Sequence, residues 1–484
     1  MKQAGMTGAL IWKLCERFGV TGMQFVLQII LGRLLMPEDY GVMSMMIIFI
    51  NLSNVFVQTG FNTSLIQRKD VSEEDYSSVF WLSMFTAIIL YAVLFFLAPV
   101  IAFLCKDESV VLPFRILSLS VLPGALNSIQ IAKVSRNLSF DKVFFCNIIA
   151  TFFSGAIGVT IAINGGGLWA IVINNLLNVF LVCLVMLLVV KWKPRLVINF
   201  GRIKVLFSFG WKLLVSSFLD MAYQEIQSVV IGGRYDSTTL GYYSKGKHFP
   251  QFLINAITGA VQSVMLPVLS ARQDDREEVK RIMRRSICMG AYIVFPMMAG
   301  LAACASPMIR LLLTDKWLPC VPYLQICCLP LAFYPVNACN LQAMNAMGRS
   351  DLFLKLELIK KSYGIVTLIF AVVCFDSPMA IAMTSAVTVF ISLFVNAHPN
   401  KRLCGYSYFE QVKDLLPTFL LSIVMGGCVY LVQYAGLGNV VTLLIQVPLG
   451  IVIYILGSKL LHLESFEYIF SEVKVFFYKR KNCL

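Results

Sequence analysis

Apolar runs of about twenty residues recur from one end of this chain to the other, with short polar stretches between them. Wound as a helix, a run of that length crosses a hydrocarbon layer about 30 Å thick. The pattern predicts fourteen helices, at 8–31, 41–66, 77–104, 110–132, 143–163, 168–190, 206–231, 241–268, 280–304, 320–346, 353–374, 378–397, 414–434 and 438–459. Turn residues separate several of them: Pro37, Gly165-Gly166-Gly167, Asp376-Ser377-Pro378 and Gly436-Leu437-Gly438. A β-barrel would need short alternating segments, which the chain lacks.

Polar residues interrupt the apolar runs in register. In the first helix Lys13, Arg17, Thr21, Gln24 and Gln28 are spaced by four, four, three and four. In the seventh, Lys212, Ser216, Asp220, Tyr223 and Gln227 repeat that spacing. At 3.6 residues per turn each set lies on one helix face. The flanking residues repeat as well. Trp12-Lys13-Leu14, Gly32-Arg33 and Tyr40-Gly41 are echoed by Trp211-Lys212-Leu213, Gly233-Arg234 and Leu240-Gly241. The second helix adds Asn51, Asn54, Gln58 and Asn62, and the eighth adds Lys247, Gln251, Asn255, Thr258 and Gln262. The chain therefore reads as a duplicated helical hairpin, the mark of a membrane protein built from repeats. Polar side chains facing lipid are unfavourable, by about 2.5–3.5 kcal/mol for Lys, Arg or Asp near a helix centre. The stripes are expected to face a hydrated cavity. The competing reading is hydrogen bonding between helices without a ligand.

Composition agrees. Hydrophobic residues make up 58% and charged residues 14% of the chain, against roughly 25% charged in a soluble domain. The formal charge of +14 is explained by cytoplasmic loops rich in Lys and Arg, not by nucleic acid. With a cytoplasmic N-terminus, about 32 of the 40 Lys and Arg fall inside. That bias places both termini in the cytoplasm and makes the repeats parallel. The expected division is a six-helix lobe at 1–190, a basic linker at 191–205, a second six-helix lobe at 206–400, two further helices at 401–460 and a basic amphipathic tail at 461–484. The fold class is thus an all-α polytopic membrane protein, with two lobes around a central cavity. The fourteen cysteines are scattered through apolar segments without zinc spacing and read as core residues.

The stretch from Gly32 to Gly41 (Gly-Arg-Leu-Leu-Met-Pro-Glu-Asp-Tyr-Gly), then Gln58-Thr59-Gly60, Leu65-Ile66-Gln67-Arg68 and Gly241-Tyr242-Tyr243, resembles the polysaccharide transporter family of the multidrug/oligosaccharidyl-lipid/polysaccharide exporter (MOP) superfamily. Within it the likeness is to the Wzx-type flippases, WzxC-like exporters among them. It extends over nearly the whole chain. The resemblance implies a bacterial inner-membrane protein that moves undecaprenyl-diphosphate-linked oligosaccharide outward by alternating access. Membrane lipids and glycan polymerase machinery are the implied partners. No nucleic acid and no cofactor are implied.

Candidate chemistry follows from the stripes. Lys13, Arg17, Lys212, Lys245 and Lys247 outnumber Asp220 and Glu225, which suits an anionic diphosphate. Gln24, Gln28, Asn51, Asn54, Gln58, Tyr223, Gln227, Gln251, Asn255 and Gln262 complete the expected substrate-binding set. Asp220 and Glu225 are candidates for coupling to a proton or sodium gradient, or else balance the nearby basic residues. The run Gly241 to His248 only mimics a P-loop, since His248 stands where Ser or Thr would hold magnesium and no strand precedes it. No catalytic triad or metal motif occurs, so enzyme activity lacks support, and a membrane glycan polymerase or glycosyltransferase would need a sizeable extramembrane loop, for which the outside loops are too short. A multidrug/cation antiporter and a lipid II flippase remain as alternatives.

Overall fold

The computed structural model describes residues 6–67, 72–136, 140–190, 192, 194–197, 200–270, 272, 275–347 and 349–471, and every regular element among them is helical. In chain order the α-helices are α1 (Met6–Leu34), α2 (Pro37–Gln67), α3 (Glu73–Cys105), α4 (Val111–Ser118), α5 (Val121–Arg136), α6 (Phe140–Ile163), α7 (Leu168–Val190), α8 (Phe200–Arg234), α9 (Ser237–Ser270), α10 (Arg276–Ala303), α11 (Ala305–Leu313), α12 (Val321–Ala332), α13 (Tyr334–Ala346), α14 (Ser350–Cys374), α15 (Pro378–Leu403), α16 (Tyr408–Leu431) and α17 (Asn439–Leu460). Each of the fourteen predicted helices has a counterpart. Among the described residues, ten helical stretches are long and apolar enough to cross a membrane, and Gly19–Leu34 forms a shorter apolar one. α8, α9 and α14 are not among the ten. α8 and α9 include stretches whose side chains lie outside the described residues.

The structure corrects the predicted elements in three places. The helix expected at 110–132 is broken at Leu119–Ser120 into α4 and α5. Pro123 has no N–H to give the Leu119 carbonyl and its ring crowds that position, so the helix restarts. The helix expected at 320–346 is broken at Phe333 for the same reason, with Pro335 in the first turn of α13. Pro37, expected as a turn, is instead the first residue of α2, where a missing N–H costs nothing. In addition, α11 follows α10 where a loop was expected.

Helix ends are written in the sequence. Ser72 and Asp75 form a capping box at the start of α3, and Ser407 and Glu410 form another at α16. The Gly165-Gly166-Gly167 turn works because Gly165 and Gly167 both take positive φ, which residues with a Cβ avoid.

By compactness the chain divides after Ser244, inside α9. In the first unit α6 pairs with α7, α1 packs on α6, and α2 packs against α3, α5 and α8. The start of the basic stretch 191–205 is strapped onto this unit. Trp192 is buried and donates a 2.8 Å hydrogen bond to Glu73 Oε2, while Lys133 reaches Glu73 Oε1 at 2.6 Å. Arg195 N donates to Ser77 Oγ at 3.0 Å, and Trp81 Nε1 donates to the Arg195 carbonyl at 2.9 Å. In the second unit α10 is central, packed on α12, α13 and α16, with α14 on α15 and α17 on α16. Charged contacts tie its helix starts together. Lys280 pairs with Glu410 at 3.2 Å and Arg284 with Asp414 at 2.9 Å. Tyr406 donates to the same Asp414 carboxylate at 2.7 Å. Burial, and then that hydrogen bond, hold the Tyr406 hydroxyl above its ordinary pKa.

Candidate transport site

The polar stripes lie on α1, α2, α8 and α9. The side chains of Lys13, Arg17, Gln58, Lys212 and Gln262 lie outside the described residues, although their backbones belong to these helices. On the rest of α1, Gln24 is exposed and Gln28 is half-buried. On α2, Asn51 and Asn54 are half-buried. Asn54 Oδ1 is shut off from solvent with no hydrogen-bond partner, so it is placed to accept from a water or a ligand. On α8, Asp220, Tyr223, Glu225 and Gln227 are all half-buried.

The structure brings α2 and α8 together. Phe56 and Phe218 meet with ring centroids 5.1 Å apart, an aromatic contact that adds to area burial. Gly232 of α8 faces Met45 of α2, and a Cβ built on it would lie 2.5 Å from Met45 Cε. The absent side chain lets the helices approach closely. Two of the candidate residues on α8 make these hydrogen bonds within the protein. Tyr243 of α9 donates a 2.8 Å hydrogen bond to Gln227 Oε1. Ser228 donates to Glu225 Oε2 at 3.2 Å.

Further along α9, Gln251 Nε2 donates to Asn255 Oδ1 at 2.8 Å, the i,i+4 pair the stripe spacing implies. Lys245 is only 4% exposed. Its Nζ lies 5.6 Å from the ring centroid of Trp317, which is fully buried, so a cation–π contact stabilises it. Gly246 is pressed onto residues 320–324, where a Cβ would meet Leu324 N at 2.8 Å. Lys247 is half-buried.

Two features of the second unit were missed. One is a chain of buried amides. Asn340 and Gln411 exchange hydrogen bonds at 2.9 and 3.0 Å, Asn400 donates to Asn340 Oδ1 at 2.8 Å, and Asn396 donates to Asn337 Oδ1 at 2.7 Å. The signal was present as i,i+3 and i,i+4 spacing of Asn337 with Asn340 and of Asn396 with Asn400. Nothing in one sequence pairs those helices. The other is an apolar cavity of about 200 Å³ among α10, α12 and α16, walled by Phe295, Met298, Leu329, Phe419 and Ile423. Its two polar neighbours turn to backbone, Gln325 to the Ala302 carbonyl and Ser422 to that of Thr418. Among the described residues no group of three His, Cys, Asp or Glu is arranged to hold a metal ion.

The described residues form an all-helical, multi-span membrane protein whose sequence carries a duplicated, polar-striped hairpin. The family model described as polysaccharide biosynthesis protein matches residues 30–322, and the chain belongs to that family. It is similar to the succinoglycan biosynthesis transport protein ExoT of Rhizobium meliloti, at 24% identity over 63% of this chain and 62% of that protein's length. It is also similar to the lipopolysaccharide biosynthesis protein WzxC of Escherichia coli, at 20% identity over 88% of each. Among solved structures, the lipid II flippase MurJ in an inward closed conformation superposes with a TM-score of 0.69 at 16% identity, covering 94% of this chain and 99% of that one. At that identity the likeness establishes the fold. The chain is thus a multi-span helical member of the polysaccharide biosynthesis protein family.

Proposed function

We propose that this protein moves an oligosaccharide linked to undecaprenyl diphosphate from the inner to the outer leaflet of a bacterial cytoplasmic membrane. The observation that carries the reading is the make-up of the duplicated stripes in a chain of the polysaccharide family. Five basic residues, Lys13, Arg17, Lys212, Lys245 and Lys247, stand against Asp220 and Glu225. A cavity for a cationic drug would be acidic, whereas a diphosphate needs positive charge at its head group. Lys13, Arg17 and Lys212 begin their stripes and would receive the head group. Lys245 and Lys247 would meet it later. Asn51, Asn54, Gln58, Gln251, Asn255 and Gln262 would hydrogen-bond the glycan, and Gln24, Gln28, Tyr223 and Gln227 would line the path.

The driving force needs no nucleotide. Moving negative charge out of a cell that is negative inside is favourable by about 2.3 kcal/mol per charge per 100 mV. Rocking of the two lobes, 1–190 and 206–400, around a central cavity would alternate access. Asp220 and Glu225 are the candidates for binding a coupling proton or sodium ion. Both termini are cytoplasmic in this reading, with the tail at 461–484 lying on the anionic inner surface. Glycan polymerase machinery would receive the product. The test is a deletion strain in which lipid-linked intermediates are extracted and sided. An oligosaccharide diphosphate accumulating in the inner leaflet supports the reading. Accumulation of lipid II, or unchanged lipids with increased drug sensitivity, refutes it in favour of the other two transporter classes.

A further inference from the structure

Gly41 and Gly241 hold equivalent places in the two copies of the hairpin, at the start of α2 and of α9. The structure puts them in mutual contact. A Cβ built on Gly41 would lie 1.6 Å from the Ser237 carbonyl oxygen and 3.0 Å from Gly241 N. A Cβ built on Gly241 would lie 2.0 Å from the Pro37 carbonyl oxygen and 3.2 Å from Gly41 N. Pro37 and Ser237 are themselves equivalent, each the first residue of its helix. The crossing is therefore two-fold symmetric, with each glycine seated on the opposite helix's first carbonyl. A carbonyl oxygen standing where the side chain would be is the geometry of a Cα–H···O contact. Only glycine permits that approach.

At the crossing itself the contact is backbone on backbone. The second hairpin tip has other holds on the first copy. Lys106 Nζ donates to the Tyr235 carbonyl at 2.7 Å, an exposed bond, and Ser237 Oγ reaches the Cys105 carbonyl at 3.5 Å, the outer limit of a hydrogen bond. The Lys106 bond, being exposed, can be exchanged for water, and the Ser237 bond is weak at that length.

We propose that the Gly41–Gly241 crossing is a seal between the two hairpin tips that parts and re-forms during transport, and that the two glycines are positioning residues for its closed state. This rests on the alternating-access reading above, though not on the identity of the cargo. A methyl group on either glycine would collide with a carbonyl that belongs to the opposite helix backbone and cannot swing aside. It would disfavour the closed state while leaving the open one untouched.

The experiment places spin labels at Glu38→Cys and Thr238→Cys, which are equivalent positions beside the crossing. Cys374 and Cys428, both exposed, are replaced by Ser together with Cys15 and Cys483, and the full chain is reconstituted in nanodiscs. Pulsed dipolar spectroscopy then reads the distance between the tips. The unsubstituted glycines are expected to give a dominant short distance. Gly41→Ala and Gly241→Ala should each move most of the population to a longer one, and the double variant should go little further. Gly22→Ala, where a Cβ meets nothing within 4 Å, should leave the distribution unchanged. A short distance that survives in both alanine variants overturns the proposal. So does a lowered melting temperature without a longer distance, because that is a packing defect only. A long distance in the variants, combined with a deletion strain that accumulates no oligosaccharide diphosphate, would keep the seal and discard the cargo.

Discussion

Tyr243 donates a 2.8 Å hydrogen bond to Gln227, joining α9 to the polar stripe of α8. Tyr243 is 2% exposed and Gln227 is half-buried. A stripe residue expected to meet substrate is thus held by its neighbour helix, which fixes its rotamer. Tyr243→Phe keeps the ring packing and removes the donor. The loss should be about 1 kcal/mol of stability, the net value of one such bond. Gln227→Leu and the double variant close the cycle. If the bond is formed, the double variant is less destabilised in thermal unfolding than the sum of the two singles. Additive losses would deny it.

Arg17 tests the head-group contact. It sits one turn deeper than Lys13 on the same stripe, where a basic residue is harder to explain as an anchor that snorkels to the surface. Arg17→Ala should abolish export at normal membrane abundance. Arg17→Lys should restore most of it, and Arg17→Gln should not. Normal export by the alanine variant removes the residue from the substrate path.

Asp220 tests coupling. Asp220→Asn keeps shape and hydrogen-bonding capacity but cannot carry charge. In proteoliposomes the substitution should abolish transport driven by an imposed proton or sodium gradient, with folding intact by size-exclusion profile. Unaltered gradient-driven transport would return Asp220 to balancing the basic residues of its stripe.

The buried amides make a stability prediction independent of function. Asn340 is fully buried and serves both Gln411 and Asn400. Asn340→Leu strands those amides, and each buried unsatisfied group costs about 1–3 kcal/mol. Adding Gln411→Leu removes one of the stranded partners, so the double variant should be more stable than Asn340→Leu alone. A melting temperature for Asn340→Leu equal to that of the unsubstituted protein would show that water replaces the network.

Much of this protein was legible before any coordinates. The helices follow from the length and period of apolar runs, and a stretch of that length in hydrocarbon can satisfy its backbone only as a helix. The repeat and its stripes are likewise local, since spacing along one helix is spacing around it. Tertiary structure decided what depends on partners. The boundary expected at 191–205 and the compact division after Ser244 differ, because α8 of the second copy packs on α2 of the first and its tip is held at Gly41 and Lys106. Whether Asn340 meets Gln411 or Asn400 could not be read from either neighbourhood, since amides are equally good partners for one another and only packing chooses. In the sequence Gly241 is the echo of Gly41 and the first residue of the helix expected at 241–268. Its close approach to a carbonyl belonging to Pro37, two hundred residues away in the chain, exists only because the two copies fold against each other.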